Sequence, residues 1–269
     1  MMRLSEPAPA KLNLALHVRG KLPDGRHALE TLFTFCVDGD RLEAEAADEL
    51  GLTISGPFAD ELANDGENLV MKAARRLAEE ANVQLGAAIS LTKYLPIASG
   101  IGGGSADAAA ALRLLTRLWN IDPSHASTVA PSLGSDVPAC LLSMAAIGTG
   151  AGDSLQLVDD GSIPGTPVLL VNPRVALSTG EVFGAWDGVD RGPLDDWREG
   201  RNDLEAAARG LVPAIGDVID WLGDQQGANF VRMSGSGATC FALFDSEDAC
   251  ERAAAICPSN WWHLATFLR

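Results

Sequence analysis

Basic side chains are scarce in this chain of 269 residues: 20 lysines and arginines stand against 36 aspartates and glutamates, a formal net charge of -16. Nucleic acids and anionic membranes are recognised through clustered positive charge, so the balance argues against both, and neither is expected as a partner. A small anion can still bind locally. Long apolar runs are also missing: no stretch reaches about 18 residues, and the N-terminal sequence lacks the apolar core of a signal peptide, so a cytoplasmic protein is expected. The five cysteines, Cys36, Cys140, Cys240, Cys250 and Cys257, form an odd set without CxxC spacing. That pattern fits neither a disulfide framework nor a zinc site, and reduced, mostly buried thiols are expected. What remains is an ordinary globular composition, 47% hydrophobic and 21% charged, on a chain long enough for two domains of moderate size.

Leu12, Leu14, Leu16 and Val18 alternate with Lys11, Asn13, Ala15 and His17, which predicts a strand with one buried face. Pro23-Asp-Gly25 reads as a turn. A strand is predicted over 31–37, then an Asp38-Gly-Asp40 turn and a further strand over 41–45. Leu69, Val70, Ala73, Ala74 and Leu77 recur at helical spacing, and a strand over 88–91 follows. Lys93-Tyr-Leu-Pro96 leads into the run Ser99-Gly-Ile-Gly-Gly-Gly-Ser105. This run opens directly into a helix whose apolar stripe holds Ala108, Ala111, Leu112, Leu115, Leu118 and Trp119. Gly, Asp, Ser and Pro dominate 148–165, the best candidate for a domain boundary. Beyond it come a buried strand at 168–171, a helix over 204–222, a glycine turn at 234–237, a strand at 240–244 and a helix over about 248–256. The order of elements predicts an α+β protein in two lobes, divided as 1–158, an N-terminal catalytic domain, and 159–269, a C-terminal domain.

The chemistry concentrates in the glycine run. Gly100, Gly102, Gly103 and Gly104 let backbone N–H groups converge without Cβ atoms in the way, and the helix N-terminus that follows adds partial positive charge, the requirements of a phosphate cradle. Ser105 can cap the helix or offer its hydroxyl to a phosphate or metal. Two common phosphate loops are absent: there is no GxxxxGK[ST], and the nearest approach to GxGxxG ends in Ser105.

Leu95-Pro-Ile-Ala-Ser-Gly-Ile-Gly-Gly-Gly-Ser-Ala-Asp-Ala-Ala109 resembles the ATP-binding signature of the galactokinase, homoserine kinase, mevalonate kinase and phosphomevalonate kinase superfamily. Pro9-Ala-Lys-Leu-Asn-Leu14 and Ser234-Gly-Ser-Gly-Ala-Thr-Cys-Phe241 resemble the first and third motifs of one of its branches. That branch phosphorylates the 2-hydroxyl of 4-diphosphocytidyl-2-C-methyl-D-erythritol in the non-mevalonate isoprenoid pathway. Leu22-Pro-Asp-Gly-Arg-His27, Leu133-Gly-Ser-Asp-Val-Pro138, Ser178-Thr179 through Phe183, and Asn202-Asp-Leu-Glu205 extend the likeness over nearly the whole chain.

The resemblance implies a two-lobed small-molecule kinase with its active site in the cleft between an ATP-binding lobe and a C-terminal lobe. ATP is the implied co-substrate, Mg²⁺ the implied metal, and a molecule bearing a cytidine diphosphate group the implied acceptor. Asp136 matches the family's catalytic aspartate and Lys11 its catalytic lysine. Lys93, Pro96, Ser99, Gly100, Gly102, Gly103, Gly104 and Ser105 match positions around ATP, with Ser105 the expected metal ligand. Asn13, sharing a strand face with Lys11, is expected at the substrate, as are His27, Thr179 and Phe183. Asp107 is left outside the site, as a first-turn acid facing the helix dipole. Arg26 stands where the family usually carries a tyrosine that stacks on cytosine. A guanidinium can also stack on a base or grip a phosphate, or an aromatic from elsewhere can take the tyrosine's place. The substitution leaves open a kinase with another alcohol as acceptor, and a nucleotide-binding regulator without turnover.

Overall fold

A computed structural model of the protein describes residues 3–62 and 68–269. Chain order begins with two long strands, β1 (Leu4–Lys21) and β2 (His27–Ala47), then β3 (Leu50–Ser55) and helix α1 (Leu69–Glu80). Next come β4 (Gly86–Thr92), α2 (Gly103–Trp119), α3 (Pro123–Val129) and α4 (Val137–Leu142). A hairpin of β5 (Ala146–Thr149) and β6 (Ser154–Leu157) precedes β7 (Pro167–Asn172), α5 (Thr179–Gly184), α6 (Glu205–Leu211) and α7 (Ala214–Gly223). The chain closes with β8 (Ala228–Met233), β9 (Cys240–Phe244), α8 (Glu247–Ala255) and β10 (Trp262–Phe267). This is the expected α+β composition. No helix among the described residues is long and apolar enough to cross a membrane, and the five cysteines are free, four of them buried.

Packing divides the chain into two compact units that are interleaved in sequence. The first comprises the N-terminal residues through Ala10, Asp38–Ile97 and Gly102–Ser143; the second comprises Lys11–Val37, Ala98–Ile101 and Met144–Arg269. They therefore do not coincide with consecutive stretches split at 158/159, because β1 and β2 each run through both.

In the first unit β4 pairs antiparallel with the second half of β2 and parallel with β3. Helix α1 starts where Asn68 caps it, accepting from the Val70 N–H, and buries Val70, Met71, Ala73, Ala74 and Leu77. Burying the larger of these side chains contributes roughly 1.5–3 kcal/mol each. Alanines at 106 and 108–111 are all buried, so α2 is enclosed on every side there, and their small size lets neighbouring elements approach closely.

In the second unit β10, β7, β9 and β8 form an antiparallel sheet in that order. Its core joins Leu169, Val171, Ala242 and Phe244 of the sheet to Ile215, Val218 and Leu222 of α7. The first half of β2 pairs with β5, which pairs with β6.

Three sequence expectations change. β1 buries both of its faces: Lys11, Asn13 and His17 are as inaccessible as the leucines between them. The Asp38-Gly-Asp40 turn is replaced by continuous strand β2. Gly39 is needed there because a Cβ would lie 2.1 Å from the Ala8 carbonyl oxygen. The single helix over 204–222 is two helices, broken where Pro213 cannot donate an N–H.

Candidate active site

The glycine run uses its freedom at two positions. Gly100 has φ +78°, and a Cβ there would lie 2.5 Å from the Ser234 carbonyl oxygen and 2.6 Å from that of Gly237. The second glycine turn thus lies directly on the first: Ser234 Oγ donates to the Gly100 carbonyl (3.1 Å) and the Thr239 N–H to that of Ser99 (3.0 Å). Asn202 secures the turn from behind, its amide donating to the Met233 and Gly235 carbonyls at 2.8 Å. Gly102 adopts φ 65° as N-cap of α2. The first helical hydrogen bond runs from Ala106 N–H to the Gly102 carbonyl. The N–H groups of Gly103, Gly104 and Ser105 are consequently turned out of the helical ladder, as at any helix start. Ser105 is half-buried on that turn, and Pro96 is buried at the run's entrance.

Beneath this turn lies a buried ion triad. Lys93 Nζ donates to Asp40 Oδ2 (2.5 Å) and Asp107 Oδ2 (2.7 Å). The other oxygen of Asp40 accepts from the N–H groups of Tyr94 (2.6 Å) and Leu95 (2.9 Å). Burial alone would discharge Lys93, but Asp107 and Asp40 more than offset it and hold its pKa above the usual lysine value. Burial pushes Asp107 up to about 7 against the opposing pull of Lys93. Lys93, expected among the groups lining the nucleotide pocket, therefore keeps its ammonium inside the protein. Asp107, read as a first-turn acid, is its partner.

Lys11 and Asn13 share a face of β1 as the alternation requires. Lys11 Nζ donates to Asn13 Oδ1 (2.7 Å) and sits 5.3 Å from the centre of the Phe33 ring. The Asn13 side-chain amide donates to Thr31 Oγ1 (2.7 Å), which donates to the Ala15 carbonyl (2.6 Å). This chain of bonds fixes the amide so that its oxygen faces the ammonium. Asp136 precedes α4 as its N-cap residue, with Pro138 in the first helical turn. Lys11 and Asp136 belong to different units.

A third cluster gathers residues far apart in sequence. The His27 ring stacks on Phe183 (centroids 4.7 Å, planes 29° apart) and meets Trp186 edge-on at 5.6 Å. His27 Nε2 and Trp186 Nε1 are both buried without a hydrogen-bond partner. Burial, followed by the nearby charge of Lys21, lowers the His27 pKa, so its ring is neutral at neutral pH. Thr179, at the start of α5, shares a 3.0 Å hydrogen bond with Ser236 of the glycine turn. Arg26 is not part of this cluster's aromatic packing. Its guanidinium is engaged by Asp24 (2.8 Å) and Asp153 (3.2 Å) at the surface. Trp186 escaped the sequence reading: it lies two residues beyond the end of α5, where no helical periodicity marks it.

The profile of the GHMP kinases N terminal domain matches residues 68–144, and that of the GHMP kinases C terminal domain matches 189–262. A protein of Rhizorhabdus wittichii called 4-diphosphocytidyl-2-C-methyl-D-erythritol kinase is 51% identical over 100% of this chain and 96% of its own. One of the same name from Novosphingobium aromaticivorans is 49% identical over 100% and 94%. A crystal structure of a 4-(cytidine 5'-diphospho)-2C-methyl-D-erythritol kinase superposes with a TM-score of 0.84 at 33% identity, covering 99% of each chain. The chain belongs to the GHMP kinase family, in the branch of the 4-diphosphocytidyl-2-C-methyl-D-erythritol kinases.

Proposed function

We propose that this protein transfers the γ-phosphoryl group of ATP to the 2-hydroxyl of 4-diphosphocytidyl-2-C-methyl-D-erythritol, a cytoplasmic step of the non-mevalonate isoprenoid pathway. The full-length match at 51% identity to a kinase of that name carries the reading. The geometry within each unit supports its parts.

Phosphoryl transfer asks the protein mainly for positioning and charge stabilisation. The outward N–H groups of Gly103, Gly104 and Ser105, with Ser99, Gly100 and Gly102 shaping the backbone and Pro96 its entrance, hold the ATP phosphates. Ser105 offers a hard hydroxyl oxygen at half-exposed depth, which fits Mg²⁺. When bound, that ion neutralises charge on the phosphates and needs few protein ligands because the phosphates supply most of them. Asp136 accepts the proton of the attacking hydroxyl. Lys11, aimed by Asn13, stabilises negative charge on the hydroxyl and the moving phosphoryl group.

His27 meets the cytosine edge through its buried, unpaired Nε2, and Phe183 supplies a stacking face. Thr179 contacts the substrate beside Ser236. Arg26, the remaining residue expected at the substrate, is assigned to the rim, because two carboxylates already occupy it.

An ADP-release assay with ATP·Mg²⁺ against the cytidyl substrate, homoserine, mevalonate and galactose tests the reading. Release with the cytidyl substrate alone is expected. Release only with another alcohol, or with none, would overturn it. Asp136→Asn should lower turnover about a hundredfold or more, and a near-normal rate would remove Asp136 from its role.

A further inference from the structure

The buried triad touches both ends of the glycine run. Asp40 ties down the chain entering it, through the N–H groups of Tyr94 and Leu95. Asp107 belongs to α2, the helix leaving it, four residues beyond Gly103. Lys93 Nζ bridges the two carboxylates. Its ammonium also lies against the backbone between them: a Cβ on Gly103 would sit 3.1 Å from Nζ and 3.8 Å from Asp40 Oδ2. On the neighbouring residue, a Cβ on Gly104 would meet Leu69 at 3.5 Å.

We infer that Lys93 is a positioning residue, which with Asp40 and Asp107 fixes the first turn of α2 in its phosphate-binding form from inside and is not itself a phosphate ligand. The inference rests on the reading of residues 99–105 as the ATP site. Glycine-rich backbone has more conformational freedom to lose than any other, so N–H groups aimed at an anion need an external brace to stay aimed. A brace of charges suits the task because its geometry is specified by three oriented groups, whereas apolar packing tolerates slippage. For Lys93 to reach a phosphate it would have to abandon two buried carboxylates, and its side chain is only 2% exposed. Removing one partner of a buried ion pair strands the other charge.

An asparagine at 107 keeps an oxygen for Lys93 to bond and leaves the Lys93–Asp40 pair in place, whereas an alanine removes the contact altogether.

The test uses the full chain and compares Asp107→Ala, Asp107→Asn and the wild type. With Asp107→Ala, KM for ATP should rise about tenfold, while kcat and KM for the alcohol stay within about twofold. Asp107→Asn should behave like the wild type. Hydrogen exchange of the nucleotide-free protein should be faster at 102–106 in the alanine variant only. The inference is overturned if Asp107→Ala binds ATP as tightly as the wild type or more tightly, the result expected when a phosphate ligand is released from a restraint. Should that variant not fold, Asp107→Ser decides: its hydroxyl falls short of Lys93 but keeps a polar atom at the position and leaves the Lys93–Asp40 pair intact. A rise in KM for ATP of about fivefold or more then supports bracing, and a KM within about twofold of the wild type contradicts it. Failure of the wild type to use ATP at all would count against the proposed function, whereas the exchange comparison would still judge the brace.

Discussion

In the proposed function the glycine run and the His27 cluster share one task, holding part of a ligand, and they are built from different materials. Around the run, the position of each backbone segment is over-determined: Ser234, Thr239, Asp40 and Lys93 all hold it. Around His27 the packing is aromatic, and two ring nitrogens, His27 Nε2 and Trp186 Nε1, are buried with nothing to bond. A buried donor or acceptor without a partner costs about 1–3 kcal/mol. The first region therefore spends stability on fixing backbone, and the second leaves polar atoms whose cost a base edge can remove. In the proposed function, recognition of triphosphate rests on main chain and recognition of the base on replaceable side chains.

The sharpest way to break the contrast is at Gly100. Alanine there combines a left-handed φ with overlap against two backbone carbonyls that have no room to move. A loss of roughly 3–5 kcal/mol in urea unfolding is expected, the strain and overpacking effects together. A loss below about 1 kcal/mol would mean that the two glycine turns do not lean on each other as described.

At the other region the effect should be smaller and confined to one substrate. Phe183→Leu keeps the volume apolar and removes the ring stacked on His27. KM for the cytidyl substrate should rise about three- to tenfold, matching the worth of an aromatic pair, with KM for ATP unchanged. Trp186→Phe tests the indole N–H alone: it retains the edge contact and deletes the donor. A rise in ATP KM with either variant would blur the division between the two regions.

The triad also predicts a pH dependence with a definite sign. Asp107 titrates at about 7 in the folded protein and near 3.9 when unfolded. Between these values the folded state holds a proton that the unfolded state has released, so stability is full below about pH 4 and is lost progressively as pH rises to about 7. The slope from this group approaches about 1.4 kcal/mol per pH unit. Thermal unfolding of the wild type from pH 5 to 7.5 should fall more steeply than that of Asp107→Asn. Parallel curves would show that Asp107 is ionised throughout.

How much of this the sequence disclosed follows from the range of the interactions. The glycine run, α2 and the Lys11–Asn13 pairing on β1 are local patterns, legible because their geometry is set within a few residues. Burial of the second face of β1 is not local. The leucine alternation says which face is apolar, but only tertiary packing makes Lys11, Asn13 and His17 inaccessible as well. The Lys93 triad was hidden for a related reason. Asp40 lies 53 residues away, and Asp-Gly-Asp is a good turn sequence, so propensity favoured a turn that β2 overrides. Strands β3, β8 and β10 went unread for want of clear alternation. Of the His27 cluster, His27 and Phe183 were found through the resemblance alone, and Trp186 needed the structure.

Arg26 carries the smallest expected effect and the most pointed question about the aromatic region. Its guanidinium has the planarity to stack on a base, yet both of its carboxylate partners, Asp24 and Asp153, are surface residues that turn it into an ion-pair network at the rim. Exposed pairs of this kind are weak and salt-screened, so Arg26→Ala should change KM for the cytidyl substrate by no more than about twofold. If Trp186, Phe183 and His27 already enclose the base, Arg26→Tyr has little left to add, and its KM should likewise stay near the wild type. A severalfold tighter KM with tyrosine would show that this protein's base site is incomplete without the ring its relatives' branch usually carries. A tenfold loss with alanine would show instead that the guanidinium leaves its carboxylates to hold the substrate.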